Sequence, residues 1–359
     1  MEFGASLEAD LARRDFTMNA LAWGAPDATP DPGLVDPHDG RSDIAARLIR
    51  AVGEPDRRFE EDALRMMRAV RFAATLEFEI EPATLAAIRR RAPLVAHLSG
   101  ERIAVELDRI LAAPRPSVGL RLLASTGILE HVSADLAAQR GVAQNKIPGE
   151  DLWDHTVRTV DAAAKRPIVR LAALVHDIGK PATAADGHFY RHESVGAELA
   201  GKLLARLHVP RSTAERVVPL VRNHMFRYEP NWSDAAVRRF LAKIGPDAVE
   251  DLFALREADN EGSGVPRDAD GLAELRARIA AELASGPILD RSALAIDGSD
   301  LMAELGLPEG PRLGRILAAL FERVVEEPQL NDRPTLMLLA RDLAERSAAE
   351  PAGPEEPGP

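Results

Sequence analysis

The 359-residue chain has no cysteine, which excludes a disulfide scaffold, a cysteine nucleophile and any thiolate metal site. Lysine is scarce: only five of the 45 basic residues are lysine, so guanidinium groups carry nearly all the positive charge. Aromatic residues make up 4% against 46% hydrophobic residues overall. Alanine and leucine therefore fill the interior, which favours helices over sheets. No apolar run approaches the ~20 residues of a membrane span. The start, Met1-Glu2-Phe3-Gly4-Ala5-Ser6, has neither the basic residues nor the apolar stretch of a secretion signal. These absences predict a mostly α, cytoplasmic protein that does not engage a membrane. The formal charge of −12 argues against a general nucleic-acid binder, yet the charge is uneven. Residues 47–121 hold fourteen arginines against eleven acids.

Along the chain, residues 1–52 contain a short helical stretch, Leu7 to Arg14, and a Pro/Asp/Gly-rich loop from Pro26 to Gly40. Residues 53–130 read as several helices. Phe59 to Leu76 has one continuous helical period, Pro82 opens the next helix, and Ser99 opens a third that ends near Leu111. Residues 131–150 form a polar connection. Residues 151–262 carry six of the nine histidines on helical segments. Residues 263–346 are a further helical tail, and 347–359, rich in Ala, Pro, Gly and Glu, read as disordered. No internal repeat is present, and nothing in the sequence fixes an oligomeric state.

Two constellations carry chemistry. The first is His155, the adjacent pair His176-Asp177, His192, His224 and Asp259. Taken singly, each histidine reads as an ordinary hydrogen-bonded residue; the ordered set stands out. His176-Asp177 closes the apolar segment Leu171–Val175, and Gly179-Lys180-Pro181 ends that helix, leaving the pair near its open end. Imidazole and carboxylate together suit a divalent transition metal or Mg²⁺. Such an ion acidifies a bound water and neutralises a phosphate, and Lys180 can meet a phosphate as a point charge.

The second constellation is Glu61-Asp62-Ala63-Leu64-Arg65, followed by Arg68 and Arg71. On one helix at about 100° per residue, with Asp62 as zero, Arg65, Arg68 and Arg71 fall near 300°, 240° and 180°. Ala63, Met66, Met67, Val70, Ala73 and Ala74 form the opposite, apolar half. Spacing alone reads as a solvated face. An Asp acceptor beside a planar Arg donor also matches the edge of a nucleobase, and further arginines suit a triphosphate.

The ordered histidines and aspartates of 151–262 resemble the HD phosphohydrolase superfamily. That resemblance implies metal ligands His155, His176, Asp177 and Asp259, with His192 and His224 serving a second ion, and makes Asp177 and Lys180 the catalytic candidates. His188 and His208 read as surface residues. Four further blocks resemble the class II tRNA nucleotidyltransferase / poly(A) polymerase family. They are Leu11-Ala12-Arg13-Arg14-Asp15-Phe16-Thr17-Met18-Asn19-Ala20; Asp36-Pro37 through Gly40 with Asp43 and Arg47 to Arg50; Glu61-Asp62 with Arg65; and Glu101-Arg102-Ile103 with Glu106-Leu107. The resemblance covers roughly residues 5–340. It implies an α/β nucleotidyltransferase head, a helical neck and body, an HD domain and a helical tail. It also implies addition of CMP, CMP and AMP to tRNA from CTP and ATP with Mg²⁺. Arg14 would contact the nucleotide, Asp62 and Arg65 would read the base, and Arg68 and Arg71 would hold the nucleotide.

The family's Gly-Gly loop and Asp-x-Asp pair lie upstream of the Arg13-Arg14-Asp15 block, where this sequence has only a dozen residues. The head segment is therefore expected to be a remnant, unable by itself to hold the ions of nucleotidyl transfer. Asp268-Ala269-Asp270 follows the histidine region without a Gly-Gly loop and is no substitute. Two other readings stay open: a stand-alone HD phosphohydrolase acting on nucleotide or RNA-end phosphates, and a non-catalytic tRNA-binding remnant.

Overall fold

A computed structural model describes residues 6–24, 33–144 and 146–349. As the composition predicts, the chain is mostly α-helical. Among the described residues, β-structure is limited to three two-stranded ribbons and two isolated bridges.

The chain opens with α1 (Leu7–Ala12), where the Ser6 hydroxyl accepts from the Ala9 N–H. β1 (Ala22–Gly24) pairs antiparallel with β2 (Gly33–Val35). Residues 26–32 of the expected Pro26–Gly40 loop lie outside the described residues, and β2 occupies Gly33–Val35 within it. After α2 (Gly40–Ala45), β3 (Leu48–Ile49) pairs parallel with β4 (Glu79–Ile80) across α3 (Pro55–Glu61) and α4 (Leu64–Leu76).

The continuous helix expected over Phe59–Leu76 is in fact two helices. Asp62 is extended (φ −155°, ψ 105°) and its Oδ1 accepts from the Leu64 N–H at 3.1 Å. Aspartate favours this capping role over a helix interior, so it starts α4 rather than continuing α3. The apolar half of α4 is as expected: Met66, Met67, Ala69, Val70, Ala73 and Ala74 are buried.

α5 (Pro82–Arg91) begins on its proline, with Glu81 capping Thr84. α6 (Gly100–Ala112) follows Ser99, and α7 (Pro116–Thr126) ends at left-handed Gly127. Short α8 (Ile128–Val132) and α9 (Ala134–Ala137) lead to α10 (Leu152–Ala162), whose start carries a reciprocal Asp151/Asp154 capping box. Then come α11 (Pro167–Val175), α12 (Lys180–Thr183), the hairpin β5 (Ala184–Ala185) and β6 (His188–Phe189), α13 (His192–Arg206) and α14 (Arg211–Asn223). α15 (Asp234–Ile244), α16 (Pro246–Gly262), α17 (Leu272–Ala284), α18 (Gly298–Leu305), α19 (Pro311–Glu326) and α20 (Arg333–Ala349) complete the chain. The expected disordered tail from 347 is helical to Ala349, and its remainder lies outside the described residues. No described helix is long and apolar enough to cross a membrane.

Two compact units emerge: Met1–Met225 with Glu250–Arg267, and Phe226–Val249 with Asp268–Pro359. In the first, Phe16 lies opposite Ala51 in a single bridge, and the Thr17 and Val52 N–H groups donate to Arg50 and Asp15 carbonyls. This lays the Arg13–Asp15 segment beside α4. α4 packs against α6 and α7, while α10, α11, α13 and α14 form the adjoining layer. The second unit closes around Leu301, Ile316, Leu320, Val324, Leu336 and Ala340. There buried Arg238 holds the last carbonyls of α19, Val325 at 2.6 Å and Glu326 at 2.9 Å.

Candidate functional site

Two sites form in the first unit. The first is an open cavity of about 590 Å³, within the range of small-molecule sites. Five guanidinium groups (Arg13, Arg14, Arg65, Arg68, Arg102) and two carboxylates (Asp15, Asp62) line it, together with Asn19, Leu64 and Phe72. Residues from three of the four family-like blocks thus meet on one wall. Each arginine is aimed by other groups. Arg14 pairs with Asp10 at 2.7 Å. Arg65 donates to Glu61 at 3.0 Å and to the Arg13 carbonyl at 3.0 Å. Arg68 donates to buried Asp15 at 2.6 Å. Asp15 in turn accepts from Asn19 and from the Phe16 N–H.

The Asp62 carboxylate accepts from Arg102, 3.0 and 2.9 Å from its two oxygens, and not from Arg65. Asp62 and Arg65 share the cavity wall because Asp62 sits at the break between α3 and α4, not because they share a helix face. Arg71 does not line this cavity. Its side chain is 11% exposed, paired at 3.1 Å with buried Glu106 and packed over the Phe72 ring at 4.1 Å. Burial holds its guanidinium below the usual arginine range despite the opposing pull of Glu106. Three charged lining residues carried no role in the sequence reading: Arg13, Asp15 and Arg102. Arg13 and Asp15 are in the quoted block, but nothing local shows that Asp15 reaches α4. The Arg102–Asp62 pair spans forty residues.

The second site gathers all six expected residues. His155 comes from α10, His176 and Asp177 follow α11, His192 opens α13, His224 follows α14, and Asp259 lies on α16. All are more than nine-tenths buried. Each Nδ1 lies on a backbone carbonyl: His155 on Gly262 (3.2 Å), His176 on Ala173 (2.8 Å), His192 on Phe189 (2.8 Å) and His224 on Val221 (2.7 Å). A carbonyl only accepts, so Nδ1 carries the proton and Nε2 presents a lone pair inward. The Nε2 atoms then meet in pairs, His155 with His176 at 3.2 Å and His192 with His224 at 3.3 Å.

Asp177 spans both pairs. Its Oδ2 lies 3.4 and 3.1 Å from His155 and His176, and its Oδ1 lies 3.4 and 3.6 Å from His192 and His224. Oδ1 is buried without a hydrogen-bond donor. Asp259 Oδ1 is 3.2 Å from His155. Facing lone pairs and an orphaned carboxylate oxygen repel one another unless a cation sits among them. The residues therefore fit a divalent ion in each of two groups, His155/His176/Asp177 and Asp177/His192/His224.

The electrostatics agree. Burial opposes the charge on Asp177, yet His176 and Lys180 hold its carboxyl well below the usual range. Burial likewise opposes Asp259, and His155 and Lys146 lower it. Burial pushes His176 down. On His155 burial is outweighed by Asp177 and Asp259, which draw a proton toward it as they would draw a metal ion.

Lys180 donates to Asp177 Oδ2 at 2.6 Å. Lys146 lies 3.3 Å from His155 Nε2 and donates to Asp259 at 3.2 Å. Two of the chain's five lysines thus converge here, and Lys146, in the polar connection, had no spacing that pointed to it. Gly179 does not end α11, which stops at Val175, but caps the start of α12: its φ is −81°, and a Cβ there would lie 2.3 Å from the His192 carbonyl oxygen. The glycine lets the His176-Asp177 turn sit against the start of α13. His188 and His208 are exposed, as expected.

Three stretches of the chain match known family models. Residues 1–50 match the family described as poly A polymerase head domain, 77–139 the probable RNA and SrmB-binding site of polymerase A, and 192–340 a putative tRNA nucleotidyltransferase domain 2. The A-adding tRNA nucleotidyltransferase of Deinococcus radiodurans is 34% identical, over 88% of this chain and 75% of that protein. The CC-adding tRNA nucleotidyltransferase of Thermus thermophilus is 37% identical, over 89% and 74%. The crystal structure of the Bacillus stearothermophilus CCA-adding enzyme in complex with CTP matches 96% of this chain and 77% of that one, with 29% identity and a TM-score of 0.64. The chain belongs to the tRNA nucleotidyltransferase / poly(A) polymerase family of CCA-adding enzymes.

Proposed function

We propose that this protein acts at tRNA 3′ ends as a CCA-adding nucleotidyltransferase, with CTP and ATP as donors and Mg²⁺ as the ion of transfer. The convergence of separate sequence blocks on the arginine cavity carries this reading. In it Arg14 and Arg68 hold the nucleotide's phosphates, and Asp62 and Arg65 read the base edge. Arg71 supports the wall from behind through Glu106 and Phe72. Such work belongs in the cytoplasm. The relatives divide between A-adding, CC-adding and CCA-adding enzymes, so the nucleotides bound are the first thing to measure.

Equilibrium binding of CTP, ATP, UTP and GTP to residues 1–359 tests the reading: CTP and ATP bind more tightly, and equal affinities for all four overturn it. Transfer is a separate question. Joining a nucleotide needs carboxylates that fix the metal ions at the attacked phosphate. The cavity's Asp15 and Asp62 are already engaged by Arg68 and Arg102. Extension of tRNA lacking its CCA end, with CTP, ATP and Mg²⁺, measures it on residues 1–359: addition supports the full reading, and binding without addition confines it to nucleotide recognition.

The buried histidine cluster favours a second activity, a metal-dependent phosphohydrolase of HD type. His155, His176, Asp177 and Asp259 would hold one divalent ion, and His192 and His224, with Asp177 between, a second. A bound ion there supplies Lewis acidity toward a phosphate and an acidified water. The chain's own contribution is to fix four Nε2 atoms through backbone carbonyls and to offer Lys180 and Lys146 to phosphate oxygens. Phosphate release from nucleoside monophosphates with Mn²⁺, Ni²⁺ or Mg²⁺ tests this, and no release with any of them contradicts it.

A further inference from the structure

A cavity of about 570 Å³ lies between α6 on one side and α11, α13 and the start of α14 on the other, and neither proposed activity uses it. Backbone contacts fix its walls at both ends. At the start of α6 a Cβ on Gly100 would lie 2.2 Å from the Arg206 carbonyl oxygen, so only glycine lets this helix rest on the end of α13. At the other end the buried Arg170 guanidinium, from α11, donates to the Leu111 carbonyl and, at 2.8 Å, to the Ala113 carbonyl. Gly100 and Leu111 stand about 16 Å apart along α6 at the usual helical rise.

Between these contacts the facing side chains are apolar: Val105 and Leu107 from α6, Ile168, Leu171 and Leu174 from α11, and Leu203 from α13. Val105 is 49% exposed and stands on the open side. An apolar space of this volume with a few polar groups at its rim has the character of a small-molecule site. A partner helix laid along it would run into one of the closed ends, so a compact molecule is the better fit. The rim supplies a charge. Glu101, Val105 and Asp108 follow one another at helical spacing on α6. Glu101 is engaged by His208 at 3.5 Å. Asp108 is exposed and has no ion-pair partner among the described residues. The nearby basic groups are occupied or lie outside: Arg109 pairs with Glu106 at 3.7 Å, Arg170 holds its carbonyls, and Lys165 lines an adjoining recess instead.

We propose that this cavity binds a small apolar molecule carrying one cationic amine, its body between α6 and α11 and its ammonium at the Asp108 carboxylate. The site is separate from the two described above. α6 also carries Arg102, which lines the arginine cavity, and Val175, which lines the new site, directly precedes His176. An occupant therefore touches helices that build both of those sites without entering either.

The test is calorimetric titration of residues 1–359 with octylamine, octanol and octanoate, which share one alkyl chain and differ in charge. Octylamine should bind at a single site about fivefold more tightly than octanoate, the scale of a solvent-exposed ion pair, with octanol between them. Asp108→Asn should remove that preference and leave octanol affinity unchanged. Val105→Trp fills the open side with an indole and should abolish binding of all three while helical circular dichroism stays as in wild type. Four results would overturn the proposal: no saturable binding of any probe, octanoate bound as tightly as octylamine, a preference that survives Asp108→Asn, or binding that survives Val105→Trp. Should Val105→Trp fail to fold, the exposed change Asp108→Asn decides alone.

Discussion

In the histidine cluster every imidazole is fixed through Nδ1 by a backbone carbonyl, whereas in the arginine cavity the guanidiniums are aimed largely by other side chains. The cluster is buried and its inward lone pairs are locked, so its geometry does not depend on what it binds. The cavity is open, and its ion pairs exchange one partner for another at small cost. A rigid donor set suits a metal ion, which tolerates little misplacement. Exchangeable arginine–carboxylate pairs suit a nucleotide, whose phosphates and base edge can replace the resident partners.

The comparison is broken most severely where the cavity borrows the cluster's rigidity. Glu106→Ala leaves Arg71 largely buried without its carboxylate. A loss near 3 kcal/mol is expected, about the low end for breaking a buried pair. Urea unfolding measures it, and a loss below 1 kcal/mol would place Arg71 with the exchangeable pairs instead. Next are Asp62→Ala and Arg65→Ala. Each lost charged hydrogen bond costs about 1.5–3 kcal/mol, so preference for CTP and ATP over UTP and GTP should collapse in the double variant. Retained selectivity would make this wall a solvated face.

Smaller effects sharpen the contrast. Gly179→Ala drives a Cβ into the His192 carbonyl. It should lower stability by about 1–3 kcal/mol and reduce metal content while leaving CTP affinity alone. Arg14→Ala should leave stability nearly unchanged, because its pair with Asp10 is exposed, yet weaken CTP binding several-fold. Equal loss of stability and binding would mean that Arg14 holds the fold rather than the ligand.

The cluster was more legible in the sequence than the cavity. His155, His176-Asp177, His192, His224 and Asp259 stand in a telling order, and a metal-type site needs only that the helices bring them together. Pro82 and Ser99 likewise marked helix starts where the structure has them. The cavity depends on long-range pairing that no local pattern encodes: Arg102 reaches Asp62, and Arg68 reaches Asp15. The break at Asp62 was hidden because α3 and α4 keep one apparent apolar period with no glycine or proline between them. Only the capping preference of aspartate marked it. Lys146 was invisible for the same reason as Arg102, since its partner Asp259 is more than a hundred residues away.

The most direct test measures two quantities on one pair of proteins. Wild type and Asp177→Ala are analysed for bound divalent metal and for CTP affinity. Asp177 bridges both groups of metal-type ligands and touches nothing in the arginine cavity. The account predicts that the variant loses its metal and keeps its CTP affinity. Equal metal in both proteins, or CTP binding lost together with the metal, would contradict it.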